Sequence, residues 1–223
     1  MWFLNAGSVQ EVLIGILSML VIIFAVLPLH EFAHGWVAYK LGDSTAKYNG
    51  RLTLNPVAHI DPLGALALIL FRFGWAKPVP VNARNFKNPK AGMAVTALAG
   101  PVSNLLAALV GALLYNLIMV IFSGMSIEVW QWISIFFSFY ISVNVGLAVF
   151  NLIPLPPLDG SKILGAFLPD RILFKFYQYQ NVIMIIVFVL LFTDILSWPL
   201  NFLSGYLTEG ILWLADLPFR LFR

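Results

Sequence analysis

Long apolar runs separated by short polar connections set the pattern of this chain. Runs at roughly 11–38, 92–122, 130–153 and 179–199, with a weaker one at 203–219, match the about 20 residues a helix needs to cross ~30 Å of hydrocarbon. The pattern predicts an all-α polytopic membrane protein with about five transmembrane helices. Leu63–Phe71 is equally apolar but too short to cross, and reads as a re-entrant or interfacial segment. Residues 41–91 form the one sizeable non-helical connection. Within it, Lys47–Leu54 centres on Asn49-Gly50, a favoured type I′ turn pair between strand-compatible residues, and predicts a small β-hairpin. Pro78-Val79-Pro80-Val81 is a second extended piece. With no internal repeat or low-complexity tract, residues 1–223 read as one domain, with its core at 11–168 and C-terminal helices at 179–219.

Composition agrees with lipid as the main solvent. Of the 223 residues, 61% are hydrophobic and 10% charged, whereas soluble domains run near about 45–50% and about 25%. The placement of charge then orients the spans. Lys40, Lys47, Arg51, Arg72, Lys77, Arg84, Lys87 and Lys90 lie between the first and second spans, Lys162, Arg171 and Lys175 after the third, and Arg220 and Arg223 at the end. Toward the other side lie Glu11 before the first span, Glu128 after the second and Glu209 near the fifth. By the positive-inside rule the N-terminus is outside and the C-terminus cytoplasmic, with an odd number of crossings in a multi-pass cell-membrane protein. The basic excess is thus a topology signal and a contact with anionic lipid, with no nucleic-acid partner implied. The first apolar run lacks a basic leader and a small-residue cleavage site, so it reads as a retained helix.

The same run carries the chemistry. Residues 30–34 read His-Glu-Phe-Ala-His. On a helix, positions i and i+4 share a face, so both imidazoles can reach one ion. Glu31 is offset by one position and can take a proton from an attacking water without ligating. Ionisable groups at the centre of a span are penalised by ~2.5–3.5 kcal/mol on insertion scales, and are therefore rare and functional. The chain has no cysteine, so any metal must use histidine and carboxylate.

A catalytic zinc keeps three protein ligands and one open position. His30 lies 19 residues after Glu11, ~28 Å along a helix, which places it near the cytoplasmic end of its span. The third span runs inward and is broken by Pro154, Pro156 and Pro157 just before Asp159-Gly160. Broken backbone at that depth lines a wet cavity or is buried in protein. Asp159 therefore reaches the depth of the histidines and is the expected third ligand. Glu11 and Glu128 sit at the opposite face, and Asp43 and Asp61 in the loop.

These residues resemble the site-2 protease family of intramembrane zinc metalloproteases. The likeness rests on His30-Glu31-Phe32-Ala33-His34 and on Asn151-Leu152-Ile153-Pro154-Leu155-Pro156-Pro157-Leu158-Asp159-Gly160. Between them, Gly50–Pro56, His59–Gly64 and Ala99-Gly100-Pro101-Val102-Ser103-Asn104 look like further signatures, covering about residues 20–168. The resemblance implies one Zn²⁺ per chain on His30, His34 and Asp159, Glu31 as general base and then acid, and Asn151 assisting the oxyanion. An interhelical hydrogen bond is the other reading of Asn151. It further implies hydrolysis of peptide bonds within or next to transmembrane segments of substrate proteins. A zinc or ion transporter, or a non-proteolytic relative that binds membrane proteins, are the alternatives. The 223 residues leave no room for PDZ or paired CBS domains, so the gating of larger members is not carried over. Turn chemistry and resemblance together suggest that the hairpin pairs with unwound substrate. Among the remaining polar residues, Asn144 reads as packing or support for the site, and Asn104 as a helix contact. His59 reads equally as structural or site-lining. Pro28 either loosens the helix beside the site or only kinks it.

Overall fold

The computed structural model describes residues 8–71, 74–191 and 195–220. Three of its helices are long and apolar enough to cross a membrane: Val9–Lys40, Pro89–Ile121 and Ile127–Asn151. The first consists of α1 (Val9–Val21), a π-helical turn (Ile22–Val26) and α2 (Leu27–Lys40). Pro28 explains the turn. Its ring would clash with the carbonyl four residues back, and the widened turn just before it, in which the Leu27 N–H donates to the Ile22 carbonyl, relieves that crowding.

Three short helices follow, α3 (Thr45–Tyr48), α4 (Pro56–His59) and α5 (Pro62–Phe71), and after a 3₁₀ turn at Ala83–Asn85 comes the long α6 (Pro89–Ile121). Asn88 caps α6, accepting from the Ala91 N–H, and Pro89 opens it, as expected where the first N–H has no helical partner. Then come α7 (Ile127–Asn151), α8 (Asp159–Gly165), α9 (Asp170–Gln178), α10 (Gln180–Leu191) and α11 (Ser197–Asp216).

The β-hairpin expected at 47–54 does not form, and no strand occurs among the described residues. Residues 45–48 instead make a helical turn closed by Gly50 at φ 64°. The Gly50 N–H donates to the Lys47 carbonyl and the Arg51 N–H to the Ala46 carbonyl, the hydrogen-bond pair of a Schellman cap. Asn-Gly suits both structures because each needs a left-handed residue, and local helical bonding wins here. The only strand-like pairing described is a single antiparallel bridge between Ile60 and Ala76.

The expected span at 179–199 is described in part: α10 is helical to Leu191, and residues 192–194 lie outside the described residues. The expected span at 203–219 falls mostly within α11, which has 20 residues but is not among the three apolar enough to cross. Leu63–Phe71 lies in α5, at ten residues too short to span.

Small residues let the long helices approach closely. The buried face of α6 carries Gly92, Ala97, Gly100, Ala107, Ala108, Gly111 and Ala112, the kind of surface that packs helices in lipid. At Gly111 a Cβ would lie 2.6 Å from the Tyr140 ring of α7. The opposite face of α6 exposes Leu98, Val102, Leu106, Val110 and Leu114 at four-residue intervals. An apolar stripe left uncovered on a helix of membrane length is a lipid-facing surface.

Asp43 ties the end of α2 to the approach to α6. Its carboxylate is fully buried and accepts from the Thr45 N–H and hydroxyl, the Asn82 N–H at 2.7 Å and the Asn85 amide at 2.7 Å. Burial pushes its pKa up, but these donors outweigh that effect and hold it below the usual carboxylate value. A lowered native pKa means that the ionised form stabilises the fold above the usual carboxylate range, and that this stabilisation is lost as pH falls through the native value. Asp43→Ala is expected to cost about 1.5–3 kcal/mol at neutral pH by stranding these donors. In melting curves of the protein in detergent, the gap between wild type and variant should narrow on acidification below the usual carboxylate range. A gap independent of pH would contradict the assignment.

Candidate metal centre

His30 and His34 lie one turn apart on the buried face of α2, with their Nε2 atoms 3.0 Å apart. Asp159, the first residue of α8, brings Oδ2 to 3.4 Å from His30 Nε2 and 3.1 Å from His34 Nε2. These residues form a group able to hold a metal ion. Gly160 makes the approach of α8 feasible: a Cβ there would lie 2.3 Å from the Leu152 carbonyl oxygen at the end of α7.

The opposite wall is a stripe of α6. Thr96, Gly100 and Asn104 are spaced four apart, so they share one face. His34 Nδ1–H donates to the Thr96 carbonyl at 2.7 Å, and His30 Nδ1–H donates to Asn104 Oδ1 at 3.3 Å. Between them, a Cβ at Gly100 would fall 2.3 Å from His34 Nε2 and 2.5 Å from His30 Nε2. Only glycine lets α6 lie against both rings.

This arrangement decides which group fits. A carbonyl can only accept, so the proton of neutral His34 sits on Nδ1, and Asn104 Oδ1 asks the same of His30. Both Nε2 lone pairs then face the Asp159 carboxylate oxygen. Three electron-rich atoms 3.0–3.4 Å apart repel one another unless a cation lies among them. Tetrahedral zinc, with bonds of roughly 2.0–2.2 Å, separates its ligand atoms by roughly 3.3–3.5 Å. The residues present fit such an ion.

Glu31 is buried beside the triad without joining it. Its Oε2 accepts from the Val79 N–H at 2.8 Å. The donor belongs to the extended segment Pro78-Val79-Pro80, where it is the only N–H because proline has none. His30, Glu31, His34 and Asp159 open onto a cavity of about 870 Å³, walled largely by apolar side chains from α2, α6, α7, α10 and residues 74–81.

Asn151, at the end of α7, lines this cavity, and its amide donates to the Leu147 carbonyl at 3.0 Å. Asn144 is fully buried and donates to the Tyr140 carbonyl of its own helix. Asn104, expected to be a helix contact, makes that contact through a candidate ligand, His30 of α2. Its spacing from Gly100 and Thr96 was the signal available in the chain. His59 is not among the residues lining the cavity. Fully buried, it donates from Nε2 to the Thr53 carbonyl at 2.7 Å, and its carbonyl accepts from the Lys77 N–H. Its role is to hold the segment that carries Val79.

A converging imidazole pair and carboxylate with an adjacent glutamate, inside helices of membrane length, is the kind of site a membrane metalloprotease needs. Comparison with known proteins gives the same class. The model of peptidase family M50 matches residues 18–193. The chain is 42% identical over 175 residues to "Putative zinc metalloprotease YwhC" of Bacillus subtilis (strain 168), covering 77% of this chain and 80% of that protein. It is 30% identical over 204 residues to "Putative zinc metalloprotease Rip2" of Mycolicibacterium smegmatis, covering 82% and 74%. To "Putative zinc metalloprotease MJ0611" of Methanocaldococcus jannaschii it is 32% identical over 139 residues, covering 60% and 62%. No solved structure matches the chain significantly. The chain belongs to peptidase family M50, the site-2 protease family, and is a zinc metalloprotease.

Gly100→Ala should weaken zinc binding by about 10–100-fold or more, the effect usual when groups orienting metal-binding histidines are displaced. Competition with a chromophoric chelator would measure it; unchanged affinity would mean that α6 does not press on the metal centre.

Proposed function

We propose that this protein is an intramembrane endopeptidase that hydrolyses peptide bonds within or next to transmembrane segments of other proteins. The observation that carries the reading is the convergence of His30, His34 and Asp159 beside Glu31 on the wall of an apolar cavity within membrane-length helices. His30, His34 and Asp159 hold Zn²⁺, which when bound supplies Lewis acidity and makes a water acidic near neutral pH. Glu31, steadied by the Val79 N–H, takes the proton from the attacking water and delivers it to the leaving amine. Asn151, at the cavity edge, offers its amide to the developing oxyanion. The largely apolar lining suits a hydrophobic substrate segment and limits competing water.

Topology follows from charge. The basic connections place the N-terminus outside and the metal centre near the cytoplasmic face, with α5 dipping into the membrane without crossing. A transit site for ions would spread ionisable residues through the membrane depth, whereas within the three membrane-length helices the acidic, basic and histidine side chains away from the helix ends are His30, Glu31 and His34, which favours a fixed catalytic site.

Purified protein incubated with transmembrane peptides tests this. Glu31→Gln should retain zinc yet lose cleavage by roughly 10²–10⁴-fold. His30→Ala, His34→Ala and Asp159→Ala should lose both zinc and activity. Asn151→Ala should lower kcat by about 10²–10³-fold with zinc retained. Equal cleavage by wild type and Glu31→Gln, or zinc flux in vesicles without cleavage of any peptide, would overturn the proposal.

A further inference from the structure

Asp159 has a second oxygen, and its partner has no assigned role. Lys162, three residues along α8 and on the same side of the helix, places Nζ 3.0 Å from Asp159 Oδ1. Oδ2 is the oxygen that faces His30 and His34. The carboxylate is buried while the lysine is about one-third exposed and lines the cavity. A surface ion pair of this kind would contribute little. Here the anion is withdrawn from water, so the ammonium decides which way the buried carboxylate turns.

The consequence concerns how many oxygens Asp159 can offer. An unrestrained carboxylate can chelate a divalent ion through both oxygens, and a second oxygen would fill the position that a hydrolytic zinc must leave free. We propose that Lys162 is a positioning residue: by holding Oδ1 it restricts Asp159 to one metal contact, through Oδ2, and so keeps the remaining position open. The inference rests on the assignment of His30, His34 and Asp159 as ligands. It also assigns a purpose to the charge. Lys162 holds the second oxygen without competing for the metal, since an ammonium carries no lone pair.

The test compares wild type, Lys162→Met, Lys162→Gln and Lys162→Arg, each purified in detergent, stripped with chelator and reloaded with Co²⁺ or Zn²⁺. Cobalt absorption and zinc X-ray absorption report coordination number independently of activity. Wild type should give a four-coordinate signature. Lys162→Met and Lys162→Gln should still bind metal, gain an oxygen neighbour and lose about 10–100-fold in kcat with KM little changed. Lys162→Arg should restore both. Unchanged cobalt spectra in the Met and Gln variants would overturn the inference, as would a rise in KM alone, which would make Lys162 a substrate contact. Failure of the Met and Gln variants to bind metal while melting like wild type would also overturn it, since Lys162 would then be needed for binding itself. Absence of stoichiometric metal in wild type would instead overturn the ligand assignment.

Discussion

Mutual repulsion among three buried lone-pair donors is the constraint on which the rest of this structure depends. His30, His34 and Asp159 come within 3.4 Å of one another in a place that water scarcely reaches. The helices that bring them together therefore store a demand for positive charge. The Thr96 carbonyl and Asn104 sharpen that demand by holding both ring protons on the far side, and Lys162 meets part of it from the cavity side. Without a cation the same geometry would be a defect; with one the repulsion turns to attraction.

Close approach of α6 makes the constraint achievable. Lipid offers no hydrophobic drive for helix association, so contact depends on small residues and fitted surfaces. Gly100 brings the backbone of α6 against both imidazoles, and Gly111 brings it against Tyr140 on α7. The outer face keeps large aliphatic side chains for the bilayer. One helix thus serves as backplate of the metal centre and core of the bundle through its small-residue face, and as boundary with lipid through the opposite one.

Three of the long spans and the grouping of His30, His34 and Asp159 were legible in the chain because each rests on a strong physical requirement. A run such as 92–122 has no other economical solvent than lipid, and two histidines four apart beside a glutamate have few other uses in a span. Asp159 could be placed by depth because a proline-broken helix marks where the chain leaves regular structure. The hairpin at Asn49-Gly50 failed for an equally physical reason: a glycine at positive φ closes a helix as readily as it turns a hairpin, and local spacing does not decide between them. Asn104 and Lys162 were missed in another way. Each touches a candidate ligand through a partner distant in sequence or through a helical offset whose meaning appears only once Asp159 is aimed. The later spans were harder to read, since α11 carries Glu209 and Asp216 among its apolar residues and falls short of the hydrophobicity of the other three.

The wall segment Pro78-Val79-Pro80 has a bearing on what can lie alongside it. Two imino acids remove the amide hydrogens on either side of Val79, and the one that remains is already given to Glu31. An extended polypeptide drawn into the cavity would thus meet carbonyl acceptors along these three residues but no spare donor. That stretch cannot serve as the seed of a growing sheet, so a guest chain could be held there by at most one-sided pairing and released without unzipping a ladder.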